Sequence, residues 1–95
     1  MFKGILPIGS VVLIGDSKRR VMIVGICQKG GAESKLYDYV GVIYPHGYIS
    51  SDKMFLFNHD QISRVFAVGY QDEEQFAFKV EAERVLNDLR NQEAQ

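Results

Sequence analysis

The spacing of apolar residues changes once along this chain, and that change fixes the fold class. Up to Tyr70 the sequence is a series of short apolar runs cut by turn residues. After Gln71 the apolar residues recur at helical spacing. Strands first and a helix last, within 95 residues, describe a single α+β domain. The expected division is a β-rich body over residues 5–70 and a C-terminal amphipathic helix over residues 72–90.

The body contains runs that read as strands. Residues 10–15 are short and rich in β-branched side chains. Residues 20–28 are apolar on both faces, with Val21, Ile23 and Cys27 opposite Met22, Val24 and Ile26, which suits a central strand. Residues 36–44 place Tyr37, Tyr39 and Ile43 opposite Leu36, Val40, Val42 and Tyr44, and Gly41 is a place for a bulge or a sharp bend. Residues 54–57 are wholly apolar, and residues 63–69 end in a glycine. Turns are expected over residues 16–18, over 29–34 with Gly30-Gly31, and at Tyr44-Pro45-His46-Gly47.

Capping patterns mark the helical pieces. Asn58, with Gln61 three residues on, predicts a short helical turn, and Asp72, with Gln75, predicts the start of the long helix. Phe78, Ala82, Val85, Leu86 and Leu89 form its main apolar stripe, while Phe76 and Val80 point elsewhere. Residues from Asn91 onward lack an apolar anchor and are expected to fray. The expected fold is a five-stranded, strongly bent antiparallel sheet with this helix appended. An SH3-like small barrel is the preferred form, and an open sheet packed on one helix is the alternative.

Composition narrows the function classes. Eleven basic against twelve acidic side chains leave a formal charge of −1, which argues against a chain built to coat nucleic acid. Lys18-Arg19-Arg20 is the basic cluster, and it reads as a solvated hairpin tip. The single cysteine, Cys27, excludes an internal disulfide and a multi-cysteine zinc site and fits a reducing cytoplasm. Met1-Phe2-Lys3 and the apolar stretch after it resemble a secretory leader only superficially, because Pro7 and Gly9 interrupt the stretch and Asp16 opens a charged run. No run approaches the ~20 apolar residues of a membrane span, so membrane insertion is not expected.

A search for catalytic groups yields single letters rather than a constellation. Cys27 lies mid-strand with no glycine elbow or helix start to activate it. His46 and His59 are polar turn residues whose spacing matches no zinc pattern, even with Asp52 or Asp60 recruited. A small metal- or thiol-dependent enzyme built on Cys27, His46, His59 and Asp60 is therefore the alternative reading, and weak nucleic-acid binding through residues 18–20 is a further one. Gly30-Gly31 lacks the spacing of a phosphate loop. Neither a metal nor a cofactor is expected.

Aromatic residues say more. Tyr37, Tyr39, Tyr44 and Tyr48 crowd the turn containing Pro45 and His46. They either close the ends of a small core or form a contact surface. Phe76 and Val80 pose the same choice on the helix: a groove that accepts its start, or an apolar face for another chain. Tyr37, Tyr39, Tyr44, Pro45, His46, Tyr48, Phe76 and Val80 are thus the candidate protein contacts. Asp38, between two tyrosines, is placed to bond a hydroxyl or a turn amide.

Several segments together resemble one family. They are Leu6-Pro7-Ile8-Gly9-Ser10-Val11-Val12, Tyr37-Asp38-Tyr39-Val40-Gly41, Tyr44-Pro45-His46-Gly47-Tyr48, Asp52-Lys53-Met54-Phe55-Leu56-Phe57-Asn58-His59-Asp60 and Gly69-Tyr70. In this order they resemble the small Gram-positive bacterial family known as domain of unknown function 4176. The helix after Phe76 carries no motif of that family. Members tend to be encoded in type VII secretion gene clusters, beside toxins with an LXG-type N-terminal domain and small helical partners. The resemblance implies a non-enzymatic accessory of toxin export: a cytoplasmic adaptor, chaperone or targeting factor. Its implied partner is another protein, an LXG-type toxin or a small helical secretion protein, with a homodimer as a further option.

Overall fold

The computed structural model describes residues 4–30 and 35–93. Among them, β1 (Val11–Ile14), β2 (Val21–Gly30), β3 (Lys35–Ile43), β4 (Met54–Phe57) and β5 (Ile62–Ala67) form one antiparallel sheet, and α1 (Glu73–Glu93) follows. The expected α+β architecture of five strands and a C-terminal helix is present. Strand order is β4-β3-β2-β1-β5, so the sheet ends in two unpaired edges and is open rather than a closed barrel. Closure demands long, staggered strands that keep pairing around a circle, and β1 and β4 are four residues each.

Register decides which side chains enter the core. Ile23 pairs with Gly41 but Gly25 pairs with Val40, so Val24 is an extra residue in β2. One extra residue turns all later side chains to the opposite face. Ile26 thereby joins Val21 and Ile23 in the core, which corrects the strict alternation that placed it on the other side. The bulge lies opposite Gly41 rather than at it. Gly41 instead permits close packing: a Cβ there would stand 2.9 Å from the Met22 carbonyl oxygen. Cys27, half-buried against the core, takes a positive φ of 59°, a conformation costing a non-glycine residue roughly 1–2 kcal/mol.

The core lies between one sheet face and α1. It gathers Ile5, Leu6, Val12, Val21, Ile23, Ile26, Leu36, Tyr39, Phe57 and Ile62 with Ala82 and Leu86 of the helix. Tyr39 and Phe57 sit opposite each other on β3 and β4, with ring centroids 5.3 Å apart. Burial of side chains this large stabilises the fold by roughly 2–3 kcal/mol each.

The helix begins where its cap predicts, with the Gln75 N–H donating to Asp72 Oδ1 at 2.8 Å. It continues to Glu93, past the expected end at residue 90. Its first two turns overhang the core, so Phe78, expected in the buried stripe, is 51% exposed. The turn at His59–Gln61 also matches its signal, with Gln61 Oε1 accepting from the Asn58 N–H at 2.8 Å. Most of the loop expected at 29–34 lies outside the described residues; β2 itself runs through Gly30.

The N-terminal segment is stitched to the sheet. Gly9 N–H donates to the Ile23 carbonyl at 2.8 Å, and Ile23 N–H donates to the Ser10 carbonyl at 2.9 Å. The buried Ser10 hydroxyl donates to the Pro7 carbonyl at 2.8 Å and accepts from the Gly69 N–H at 3.0 Å. A Cβ at Gly69 would lie 2.8 Å from the Ile8 carbonyl carbon, so this crossing requires glycine.

Candidate functional site

Two kinds of surface compete for a functional role: a polar cluster at the C-terminal end of α1, and apolar ground that the fold leaves uncovered. The polar cluster grows from Asp38 and Tyr39, neighbours on β3. Their side chains reach the turn at His59–Gln61 and the inner face of α1.

Asp38 is only 5% exposed, and a carboxylate so buried must be paired. Its Oδ1 lies 2.8 Å from Arg90 Nη2, and its Oδ2 accepts from the His59 N–H at 2.8 Å. Asp38 thus bonds a turn amide, one of the two roles its position suggested. Arg90 also donates to Asn58 Oδ1 at 3.1 Å, which accepts from the Asp38 N–H at 3.0 Å. Tyr39 Oη accepts from the Leu6 N–H at 2.9 Å and lies 2.7 Å from His59 Nδ1. Burial pushes the Tyr39 hydroxyl up to about 12; the Leu6 N–H opposes the rise, and the Asp38 and Glu83 charges add to it. Glu83 Oε2 accepts from the Ile5 N–H at 2.9 Å.

A cleft of about 360 Å³ opens beside Gly4, Asp38, His59, Glu83, Asn87 and Arg90, and a second of about 510 Å³ lies across Arg90 toward Lys35 and Asp60. Imidazole, carboxylates and guanidinium are the letters of an acid–base site. In this cluster Asp38 and Glu83 hold backbone amides, the Tyr39 hydroxyl holds the Leu6 amide, and Arg90 holds Asp38 and Asn58. The arrangement clasps the N-terminal segment, β3 and α1 together. Neither Cys27 nor His46 lines either cleft. Among the described residues, no group of three or more His, Cys, Asp or Glu side chains is placed to hold a metal ion.

The apolar ground begins at the overhanging start of α1. A cleft of about 260 Å³ runs between Pro7, Ile8, Ile26, Tyr70, Phe78 and Lys79. Tyr70 is 80% exposed; Phe76 and Val80, on the same two helical turns, do not line this cleft, project from the side of the helix away from Phe78, and are open to solvent. Their exposure shows that the start of α1 is not tucked into a groove.

The tyrosines divide. Tyr39 is fully buried, which removes it from the candidate contact surface and makes it part of the core. Tyr37 is half-buried, with the Lys35 ammonium 5.8 Å from its ring centroid. Tyr44, Pro45, His46 and Tyr48 are exposed around the turn after β3. Period alone could not separate Tyr37 from Tyr39, since both alternate on one strand face; only the helix and Phe57 above Tyr39 do so. Glu83, Arg90 and Ser10 carry clasp roles that no local pattern signals, because their partners are distant in sequence.

The molecule is thus a small α+β domain with an open five-stranded antiparallel sheet and a helix on one face. Residues 5–78 match the family model described as Domain of unknown function (DUF4176), and the chain belongs to that family. We found no significant match among curated proteins or solved structures. Among the described residues no helix is long and apolar enough to cross a membrane.

Proposed function

We propose that this protein is a non-enzymatic binding module that holds another protein, acting in the cytoplasm of a Gram-positive bacterium as an adaptor, chaperone or targeting factor for toxin export by type VII secretion. The observation that carries the binding role is the uncovered apolar ground at the start of α1: Ile8, Tyr70 and Phe78 are exposed around the cleft, and Phe76 and Val80 are exposed on the helix side away from it. Monomeric domains seldom leave such surface open unless something docks there. An apolar cleft with a polar rim suits a helix laid into a groove, so the partner is a helical segment of a toxin or of a small secretion protein. The secretion context comes from the family resemblance. The turn from Tyr44 to Tyr48 offers a second contact, since exposed tyrosines supply apolar area and a hydroxyl together.

The test is co-purification from the native organism with the wild-type chain, Phe76→Asp and Tyr48→Ala. A defined toxin or secretion protein should accompany the wild type, and Phe76→Asp should lose it. Failure of any protein to co-purify, or unchanged capture by both variants, overturns this siting.

A further inference from the structure

Among the described residues no helix lies over the face of the sheet opposite α1, and that face is not polar. Residues directly opposite one another across strands share a face. Met54, Val42, Met22 and Val11 form one such row, continued by Ala67 of β5. Val11 and Val42 are buried yet stand outside the core cluster, which places this row on the other side of the sheet. Leu13 and Arg64 are paired beside it. An antiparallel sheet with one face in water normally carries polar side chains there. Here the second face has an apolar floor.

Arginines line the end of that floor. The Arg20 guanidinium carbon lies 5.2 Å from the Tyr44 ring centroid and 5.4 Å from that of Phe66, and Arg64 lies 4.7 Å from Phe66. Tyr44, Arg20, Phe66 and Arg64 therefore alternate as ring and cation. The rings hold each guanidinium in place without neutralising it. Among the described residues, neither arginine has a carboxylate partner. Lys18 and Arg19 precede Arg20 in the turn from β1 to β2 and are exposed.

We infer that this face docks an acidic amphipathic helix of a partner protein. Apolar side chains of that helix cover Met22, Met54 and Leu13, and its carboxylates pair with Arg20 and Arg64. A helix is the layer that completes a half-covered sheet, and fixed guanidinium forks suit carboxylates. A second copy of this chain does not fit. The start of α1 has the right chemistry, with Asp72, Glu73 and Glu74 beside Phe76 and Val80. It sits on the opposite side of the sheet, so the contact would be head-to-tail and would build a ring or a filament rather than a two-fold dimer. The inference deepens the protein-binding reading and rests on it in kind, though not on its placement at the helix.

Two synthetic helices of about 18 residues, five turns long, provide the probe. Both carry one leucine stripe; one has glutamates on its flanks and the other lysines. Each is titrated into isotope-labelled protein and followed by backbone amide NMR. The glutamate helix should bind and shift amides of β1, β2 and β5 near Arg20, Arg64 and Phe66, with the lysine helix weaker by about tenfold or more. Arg20→Glu combined with Arg64→Glu should reverse the preference, a gain that an unfolded variant cannot show. Equal binding of the two helices, shifts confined to α1, or tighter binding of a single-stranded oligothymidylate than of the glutamate helix overturns the inference. A native partner captured through Phe76 while the glutamate helix is ignored removes this inference and leaves the function standing. The converse result, with no partner captured, removes the siting at Phe76 and Tyr48 alone.

Discussion

Tyr39 shows how much one hydroxyl can organise. Its ring fills the core against Phe57, and its Oη joins the Leu6 amide to the His59 imidazole. Tyr39→Phe keeps the ring and leaves the buried Leu6 N–H without its acceptor. Such a loss costs about 1–3 kcal/mol, to be read as a lower midpoint in urea unfolding with an unchanged slope. The same hydroxyl gives the fold an alkaline limit. Its folded value of about 12 stands above the ordinary 10.0, so the contribution is complete below pH 10 and is lost as pH rises toward 12. Phenolate absorbance during an alkaline titration should show a late step near pH 12 from Tyr39. In Tyr39→Phe that late step should vanish; its persistence would assign the late ionisation to another residue. Asp38→Ala leaves the His59 amide without its acceptor and takes one of two partners from the half-exposed Arg90, and a loss of about 1–3 kcal/mol is expected. A loss below 1 kcal/mol in chemical denaturation would mean that the clasp contributes little.

At the scale of elements, caps and crossings matter most. Asp72 accepts the Gln75 N–H at the start of α1, and Asp72→Ala should cost about 1 kcal/mol, measured as a fall in thermal midpoint. Because the first two turns overhang the core, amide exchange should also quicken there while Ala82 to Leu89 stays protected. Uniform protection along α1 would contradict the overhang. Gly69→Ala forces a Cβ against the Ile8 backbone, which cannot swing aside as a side-chain tip can. A destabilisation of about 1–3 kcal/mol is expected, with Gly15→Ala as a control in open space, although its φ of 54° adds strain of its own. An effect at Gly69 below about 0.5 kcal/mol would show that the crossing opens to admit a Cβ.

The whole molecule is a two-layer body with one layer missing part of its cover. Helix α1 protects one sheet face, while the other keeps Met22, Met54 and Leu13 half-exposed beside guanidiniums stacked on aromatic rings. The overhanging helix leaves a second apolar site at Tyr70 and Phe78. These are the two surfaces to which the proposed partner contacts are assigned. Binding at either site should stabilise the fold by mass action, so a partner that docks should raise the thermal midpoint in step with its concentration. A midpoint indifferent to a saturating partner would place binding elsewhere or nowhere.

What the sequence determined by itself was local. The switch from short runs to helical spacing at Gln71, the caps at Asp72 and Asn58, and the wholly apolar 54–57 strand are short-range signals, and the elements stand where those signals put them. Membership of the family was legible in ordered motifs for the same reason. Only the tertiary structure decided that the sheet stays open, that Ile26 changes face at a bulge, that Tyr39 is core while Tyr44 is surface, and that Arg90 and Glu83 clasp segments from the other end of the chain. Period, propensity and capping act over a few residues. Closure, facing and clasping depend on which distant segments arrive together, and no window along the chain contains both partners.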